Sequence, residues 1–208
     1  MAIAALSNFT IPLASDQSAG SQGMLMPKLS YRFRVNFENF GVSGSTTEMT
    51  KQVTDFSRPT VDFTNTEIDI YNSKINYAGK PKWGQVTVTM RDDVTGQVSK
   101  LVGEQMQRQF DFFEQSSAAS AGDYKFTIRC EMLDGGNGTS TPTVLETWEI
   151  YGCYIQKVDY GKLAYKTNDP VAIVLTMQID NAVQTTGGSL GSPTNKTKHP
   201  GGTNSLGA

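Results

Sequence analysis

The feature that most limits how this chain folds is a two-residue alternation of apolar and polar side chains that returns along much of its length. Tyr31, Phe33, Val35 and Phe37 alternate with Arg32, Arg34, Asn36 and Glu38. Successive side chains of a strand point to opposite faces, so this segment is a strand with one face buried. Tyr124, Phe126, Ile128, Cys130 and Met132 repeat the pattern against Lys125, Thr127, Arg129 and Glu131. Residues 86–90 form a β-branched strand, and residues 143–151 and 154–160 are two more, broken at Gly152. Residues 171–179 are the most apolar strand of all, entered through the turn Asn168-Asp169-Pro170. Residues 47–56 and 60–71 read as strands parted by Ser57-Arg58-Pro59, because Pro59 cannot donate into a central ladder. Asn72-Ser73 and Ala78-Gly79-Lys80-Pro81 punctuate a short segment at 74–77.

One stretch keeps a different period. Val98, Leu101, Val102, Met106, Phe110 and Phe113 stand three and four apart, which predicts an amphipathic helix over 95–115. Asp92 and Asp93 are its cap candidates, Gly103 weakens its middle by about 1 kcal/mol relative to Ala, and residues 116–122 end it. The predicted fold is therefore mainly β: a sandwich or barrel of about eight strands with one flanking helix. No period of 20–50 residues recurs, which disfavours a solenoid or propeller. Residues 1–27 read as an irregular N-terminal arm, with Ile3, Leu6, Phe9, Ile11 and Leu13 available to dock on a neighbour. Residues 28–182 form the β domain. Residues 183–208, where Gly187, Gly188, Gly191, Gly201, Gly202 and Gly207 crowd together, read as a flexible tail.

Composition removes several function classes. The 208 residues carry 18 Lys and Arg against 20 Asp and Glu. Two of the lysines, Lys196 and Lys198, lie in the tail, so the body has 16 against 20, a charge of −4. That balance argues against gripping nucleic acid or an anionic membrane electrostatically. No run approaches the roughly 18 apolar residues of a membrane helix, and the first residues do not read as a secretory signal. Without one, Cys130 and Cys153 are expected as free thiols, and a disulfide between them has no compartmental support. Cys130, in phase with Phe126 and Ile128, reads as a buried small hydrophobe.

No catalytic constellation emerges. The single histidine, His199, falls in the tail, where nothing would hold it against a nucleophile. Asp92-Asp93 and Glu67-x-Asp69 are the close acidic groupings, and capping and a solvated strand face account for them better than acid–base or metal chemistry. Gly135-Gly136-Asn137-Gly138 does not lead from a strand into a helix, so it fails as a phosphate cradle. We expect no metal, no cofactor and no enzymatic activity.

Two segments carry a family pattern. The first is Lys74-Ile75-Asn76-Tyr77-Ala78-Gly79 with Trp83, then Val86-Thr87-Val88-Thr89-Met90 and Asp92-Asp93. The second is Trp148-Glu149-Ile150-Tyr151-Gly152, Val158-Asp159-Tyr160, Leu163-Ala164-Tyr165, Asn168-Asp169 and residues 174–180. Around one helix and over residues 28–182, their order resembles the tail tube proteins of contractile-tailed bacteriophages. The chain departs from that pattern after Gly152, where Cys153 stands instead of a nearby Pro, and in its two ends.

The resemblance implies a subunit whose inner sheet joins a hexameric β-barrel ring, with rings stacking into a tube. It implies virion partners: further copies of the chain, a sheath protein, baseplate and terminator proteins, and a tape measure protein and transiting DNA in the lumen. Assembly would take place in the host cytoplasm. Residues 57–82, and within them Lys74, Ile75, Asn76, Tyr77, Ala78 and Gly79, match the position of the loop that reaches the next ring. Lumen candidates are Glu48, Thr50, Glu67, Asp69, Gln85, Thr87 and Thr89. A lumen poor in Lys and Arg suits DNA passage, because each phosphate bound would add drag. Alternatives are a tube-initiating baseplate protein, the inner tube of a contractile bacteriocin or type VI secretion machine, and a carbohydrate-binding sandwich using Trp83 and Trp148.

Overall fold

Strands dominate the computed structural model, which describes residues 28–42, 46–135, 141–166, 168–186 and 190–191. The chain divides into two units, Met1–Arg32 and Phe33–Ala208. In the first, the described residues hold a turn in which the Arg32 amide donates to the Leu29 carbonyl at 3.2 Å. The arm expected over 1–27 lies outside the described residues, as do His199 and most of the expected tail.

The second unit contains β1 (Phe33–Glu38), α1 (Thr47–Gln52), β2 (Val53–Phe56), β3 (Val61–Ile70), β4 (Ser73–Trp83) and β5 (Val86–Arg91). It continues with α2 (Gln97–Gln109), β6 (Phe110–Asp111), β7 (Ser116–Ser117), α3 (Ala121–Tyr124), β8 (Phe126–Leu133), β9 (Val144–Asp159), β10 (Ala172–Gln178) and β11 (Asn181–Thr186). Seven strands make one sheet in the order β1-β8-β9-β10-β5-β2, with β11 also on β9.

The organising piece is a long ribbon. Met177 faces Ile155 and Gln178 faces Tyr154, while Asn181 faces Tyr151 and Ala182 faces Ile150. One register therefore runs through Ile179–Asp180, and β10 and β11 act as a single antiparallel partner of β9. The sheet then widens differently at the two ends of this ribbon. Along Val144–Cys153, β8 and then β1 add to the β9 side. Along the other end, β5 and then β2 add to the β10 side. Inward residues of both halves, among them Val35, Ile128 and Ile150 from one and Val88, Leu175 and Met177 from the other, join one buried cluster with Val98, Leu101 and Val102 of α2. Each such side chain contributes roughly 1.5–3 kcal/mol on removal from water.

Gly152 makes the ribbon continuous. Its φ is +66°, and a Cβ there would stand 2.2–2.9 Å from atoms of the Asp180 side chain. Only glycine fits that close approach in left-handed backbone. The break expected at Gly152 is thus a bulge-like kink within one strand, held by the Asp180 amide donating to the Tyr151 carbonyl and by Lys125 Nζ on Asp180 Oδ2 at 2.5 Å.

The structure corrects several sequence expectations. Residues 47–52 are helical rather than extended: Met49 is the buried residue, and Lys51 Nζ reaches Glu48 Oε1 one turn back at 2.7 Å. The α2 helix stops at Gln109, because Phe110 takes extended backbone, and Phe113 is left exposed. Asp92 and Asp93 do not cap it. Asp93 Oδ1 accepts from the Thr95 amide and hydroxyl, which builds a turn and holds its carboxyl below the usual range, while Gly96 occupies the cap position. Residues 74–77 are part of a continuous β4, in which Gly79-Lys80 forms a bulge opposite Thr64. Residues 183–186, assigned to the tail, finish β11.

Candidate assembly surfaces

Three surfaces of the second unit carry side chains that the sheet leaves facing outward. The first is the outer face of the four-stranded half, β2-β5-β10 and Tyr154–Asp159 of β9. Val86, Val88 and Met90 point inward, so Thr87 and Thr89 point outward. Across the ladder Thr87 faces Thr176, which faces Lys157, while Thr89 faces Val174, which faces Asp159. On the other flank Asp55 faces Thr89. Gln178 continues the row, and Gln85 donates to Gln156 Oε1 at 2.7 Å. The two central strands present Thr, Val and Gln, and charge is confined to the flanking strands and to Arg91.

This half has two edges that no strand among the described residues pairs: the outer edge of β2 and the outer edge of Tyr154–Asp159. The second is partly covered by α2, whose Gln109 Nε2 donates to the Ile155 carbonyl at 3.1 Å. A cavity of about 220 Å³ opens beside it, lined by Met106, Phe110, Phe112 and Lys157 among others.

The outer face of the other half differs. Arg34 Nε bonds Glu131 Oε2 at 2.9 Å, and Arg129 stands 3.1 Å from Glu149 and 3.8 Å from Glu38. The Tyr151 hydroxyl donates to Glu149, which raises the tyrosine's own pKa. Opposite charges alternate across β1, β8 and β9, so this face carries much charge with little net sign.

The second surface is the β3–β4 hairpin, which forms a two-stranded sheet of its own. Its registers place Ile68 opposite Ile75 and Thr66 opposite Tyr77 on one face, and Glu67 opposite Asn76 and Asp69 opposite Lys74 on the other. Lys74 Nζ bridges Glu67 at 3.1 Å and Asp69 at 3.8 Å. Ile68, Ile70, Ile75 and Tyr77 remain 41–51% exposed. Tyr71, at the tip, has φ +45° and is 99% exposed. A bulky residue in left-handed backbone is uncommon and strained. The base is firmly tied: the Ser57 amide donates to the Thr87 carbonyl, the Gly84 amide to the Thr60 carbonyl, and Gln178 Nε2 to the Trp83 carbonyl.

The third surface lies at the opposite end of β5 and β10. There the Asp92 amide donates to the Val171 carbonyl, joining the 92–96 turn to the residues that lead into β10. Leu163, Tyr165 and Val94 are 79% or more exposed, and Tyr160 and Val171 are half-exposed. A cavity of about 260 Å³ lies between Tyr160–Ala164 and Asp169–Ala172.

The sequence-derived candidates separate on this map. Gln85, Thr87 and Thr89 share the outer face of the four-stranded half, on or next to its central strand β5. Glu67 and Asp69 lie on the polar face of the hairpin, and Lys74, Ile75, Asn76, Tyr77, Ala78 and Gly79 form its second strand. Glu48 and Thr50 sit on α1, apart from any strand face, since the helix turns them out of the alternation that motivated them. Thr176, Gln178, Val174, Lys157 and Asp159 escaped the sequence reading. The signal was the parity of Thr176 with Gln178, hidden because Val174 makes the strand read as apolar on both faces.

Other expectations can be placed. Cys130 and Cys153 are buried free thiols, and desolvation pushes each up to about 12. Trp83 and Trp148 both pack against the core, and Trp148 Nε1 donates to the buried Glu146 at 2.6 Å. Among the described residues no three His, Cys, Asp or Glu side chains group as metal ligands, and no helix is long and apolar enough to cross a membrane.

No protein-family model matches the chain, and no curated protein matches it in sequence. Solved structures do share its fold. The tube-terminating cap of the anti-feeding prophage is similar at TM-score 0.59 and 13% identity, over 82% of this chain and 98% of that one. The sheath/tube terminator of an extracellular contractile injection system in its extended state is similar at TM-score 0.54 and 14% identity, over 78% and 99%. A chain of the sheath–tube complex of such a system is similar at TM-score 0.52 and 13% identity, over 77% and 92%. The fold is that of tube and tube-terminator proteins of contractile injection systems, as the sequence resemblance implied.

Proposed function

We propose that this chain is a non-enzymatic structural subunit of a contractile tail, and that copies of it form stacked hexameric rings enclosing a conduit for DNA ejection. The observation that carries this reading is the four-stranded half with two unpaired edges. Its strands are all antiparallel and even in number, so the two edges run in opposite directions. Copies related by simple rotation then meet antiparallel at every junction, and the closed ring has no edge left to aggregate. The Thr-, Val- and Gln-rich face would line the lumen. With almost no positive charge at its centre, it offers passing phosphates no site to hold them. The hairpin, tied at its base and flanked by no other strand among the described residues, would stack one ring on the next.

The partners follow from that role: further copies, a sheath around the tube, baseplate and terminator rings at its ends, and a tape measure protein and DNA within. The particle location is the virion tail, assembled in the host cytoplasm. A terminal ring is a second reading, favoured by the likeness to a tube-terminating cap. Electron microscopy of the purified chain tests both. Hollow tubes of constant diameter, built of six-fold rings, support the tube reading, and six-fold rings that never elongate support the terminal one. A chain that stays monomeric at high concentration and binds glycans would overturn both.

A further inference from the structure

Resting on the tube reading, we propose that residues 160–166 and 168–171 together with the 92–95 turn are the receiving surface for the β3–β4 hairpin tip of a second copy. The first observation is position. The hairpin leaves the sheet where Gln178 meets Trp83, and the receiving residues leave it where Asp92 meets Val171. These are opposite ends of the same two strands, β5 and β10. An element at one end of a subunit can meet an element at the other end only in a neighbour stacked head to tail, which is a heterologous contact that repeats without closing.

The second observation is matched chemistry. The tip offers Ile68, Ile70, Ile75 and Tyr77 on one face, none covered by another strand among the described residues. The far end offers Leu163, Tyr165, Val94 and Val171, exposed in the same way. Scattered apolar side chains on a surface are ordinary, but two contiguous groups at complementary ends need a cover. Net charge does not distinguish the two: the tip carries Glu67 and Asp69 against Lys74, and the receiving surface carries Lys162 and Lys166 against Asp92, Asp93 and Asp169, a net −1 on each, so the match rests on position and on the apolar groups. Lys162 and Lys166 find no acidic partner among the described residues, and a second hairpin docked there would supply one.

Two double variants test the assignment: Leu163→Asp/Tyr165→Asp on the receiving surface, and Ile68→Asp/Ile75→Asp on the tip. Leu163 and Tyr165 are largely solvated, and Ile68 and Ile75 are about half-exposed on a hairpin outside the main sheet, so thermal melts of the unassembled variants should stay close to the wild type. Each variant alone should stop at single rings, with the critical concentration for elongation raised at least about tenfold. Rings of the two variants, mixed in equal amounts, retain one intact tip and one intact receiver between them. They should form stacks two rings tall and no taller by electron microscopy. Elongation of Leu163→Asp/Tyr165→Asp to wild-type length, or a mixture that stays as single rings, would overturn the proposal while leaving the tube reading intact. A wild-type chain that forms no tube under the same conditions would overturn both.

Discussion

Two antiparallel ribbons run through this molecule, and they are stabilised in opposite ways. The β9 ribbon with β10 and β11 is flanked by β8 at one end and β5 at the other, and it buries Ile150, Cys153, Ile155, Leu175 and Met177. Among the described residues the β3–β4 ribbon has no flanking strand, and nearly all its residues are exposed. Isolated two-stranded hairpins are marginal in water, so the second ribbon draws little stability from its own chain beyond the ties at its base. On the proposed reading its missing neighbour comes from another molecule, so the first ribbon serves folding and the second would serve assembly.

That contrast sets the order of expected effects. The largest falls in the first ribbon. Ile150→Ala, at a fully buried site, should cost about 2–5 kcal/mol in denaturant unfolding of the subunit. Ile68→Ala on the hairpin should stay within about 0.5 kcal/mol in the same experiment. Comparable losses at both sites would erase the distinction between the ribbons. Next comes the junction of the two sheet halves. Gly152→Ala forces a side chain into left-handed backbone against Asp180 and should cost about 1–3 kcal/mol. It should also free Lys125 from Asp180, whose hydrogen bond raises the lysine's pKa.

Smaller and opposite in sign is Tyr71→Gly. Glycine relieves the strained turn, so the subunit should gain roughly 0.5–1 kcal/mol or stay level while tube elongation weakens. Stability and assembly then move apart, which residue-by-residue melts and sedimentation can show. The proposed lumen face offers a test without a stability change. Thr87→Lys with Thr176→Lys should leave tubes intact but make them retain DNA at low salt and release it as salt rises. The smallest effect concerns the thiols. With Cys130 and Cys153 raised to about 12, roughly one in ten thousand is thiolate at pH 8, so a native-state alkylating reagent should leave both unmodified.

What was legible in the sequence was whatever alternation alone decides. Phe33, Val35 and Phe37 turned inward as their phase requires, and so did Phe126, Ile128 and Cys130. The core stripe of α2 was visible at Val98, Leu101 and Val102, but its end was not, because Phe110 and Phe113 keep helical spacing after the backbone has become extended. Periodicity reports which side chains could share a face, not whether the chain stays helical to present them. Residues 47–52 failed for a related reason. With Met49 as the one buried residue, neither period was established, and the Glu48–Lys51 pair one turn apart was the remaining local signal.

The assembly surfaces were half readable. Thr87 and Thr89 could be placed outward because buried residues bracket them, whereas Thr176 and Gln178 could not, since their strand is apolar at Val174 as well. The hairpin was located, but its continuity through Gly79-Lys80 depends on a bulge, which is a tertiary outcome and leaves no period behind. The continuity of β10 with β11 was invisible, because the short break at Ile179–Asp180 is bridged only by Gly152 on the partner strand.

Among the described residues the β3–β4 hairpin has no third strand beside it, and on the proposed reading it gains a partner in the polymer. Amide hydrogen exchange, measured on the soluble subunit and on the assembled tube, addresses that claim directly. The account predicts that residues 61–83 exchange orders of magnitude faster than β9 and β10 in the subunit and become comparably protected in the tube. Equal protection of the hairpin in both states, or a hairpin that stays unprotected in a well-formed tube, would contradict it.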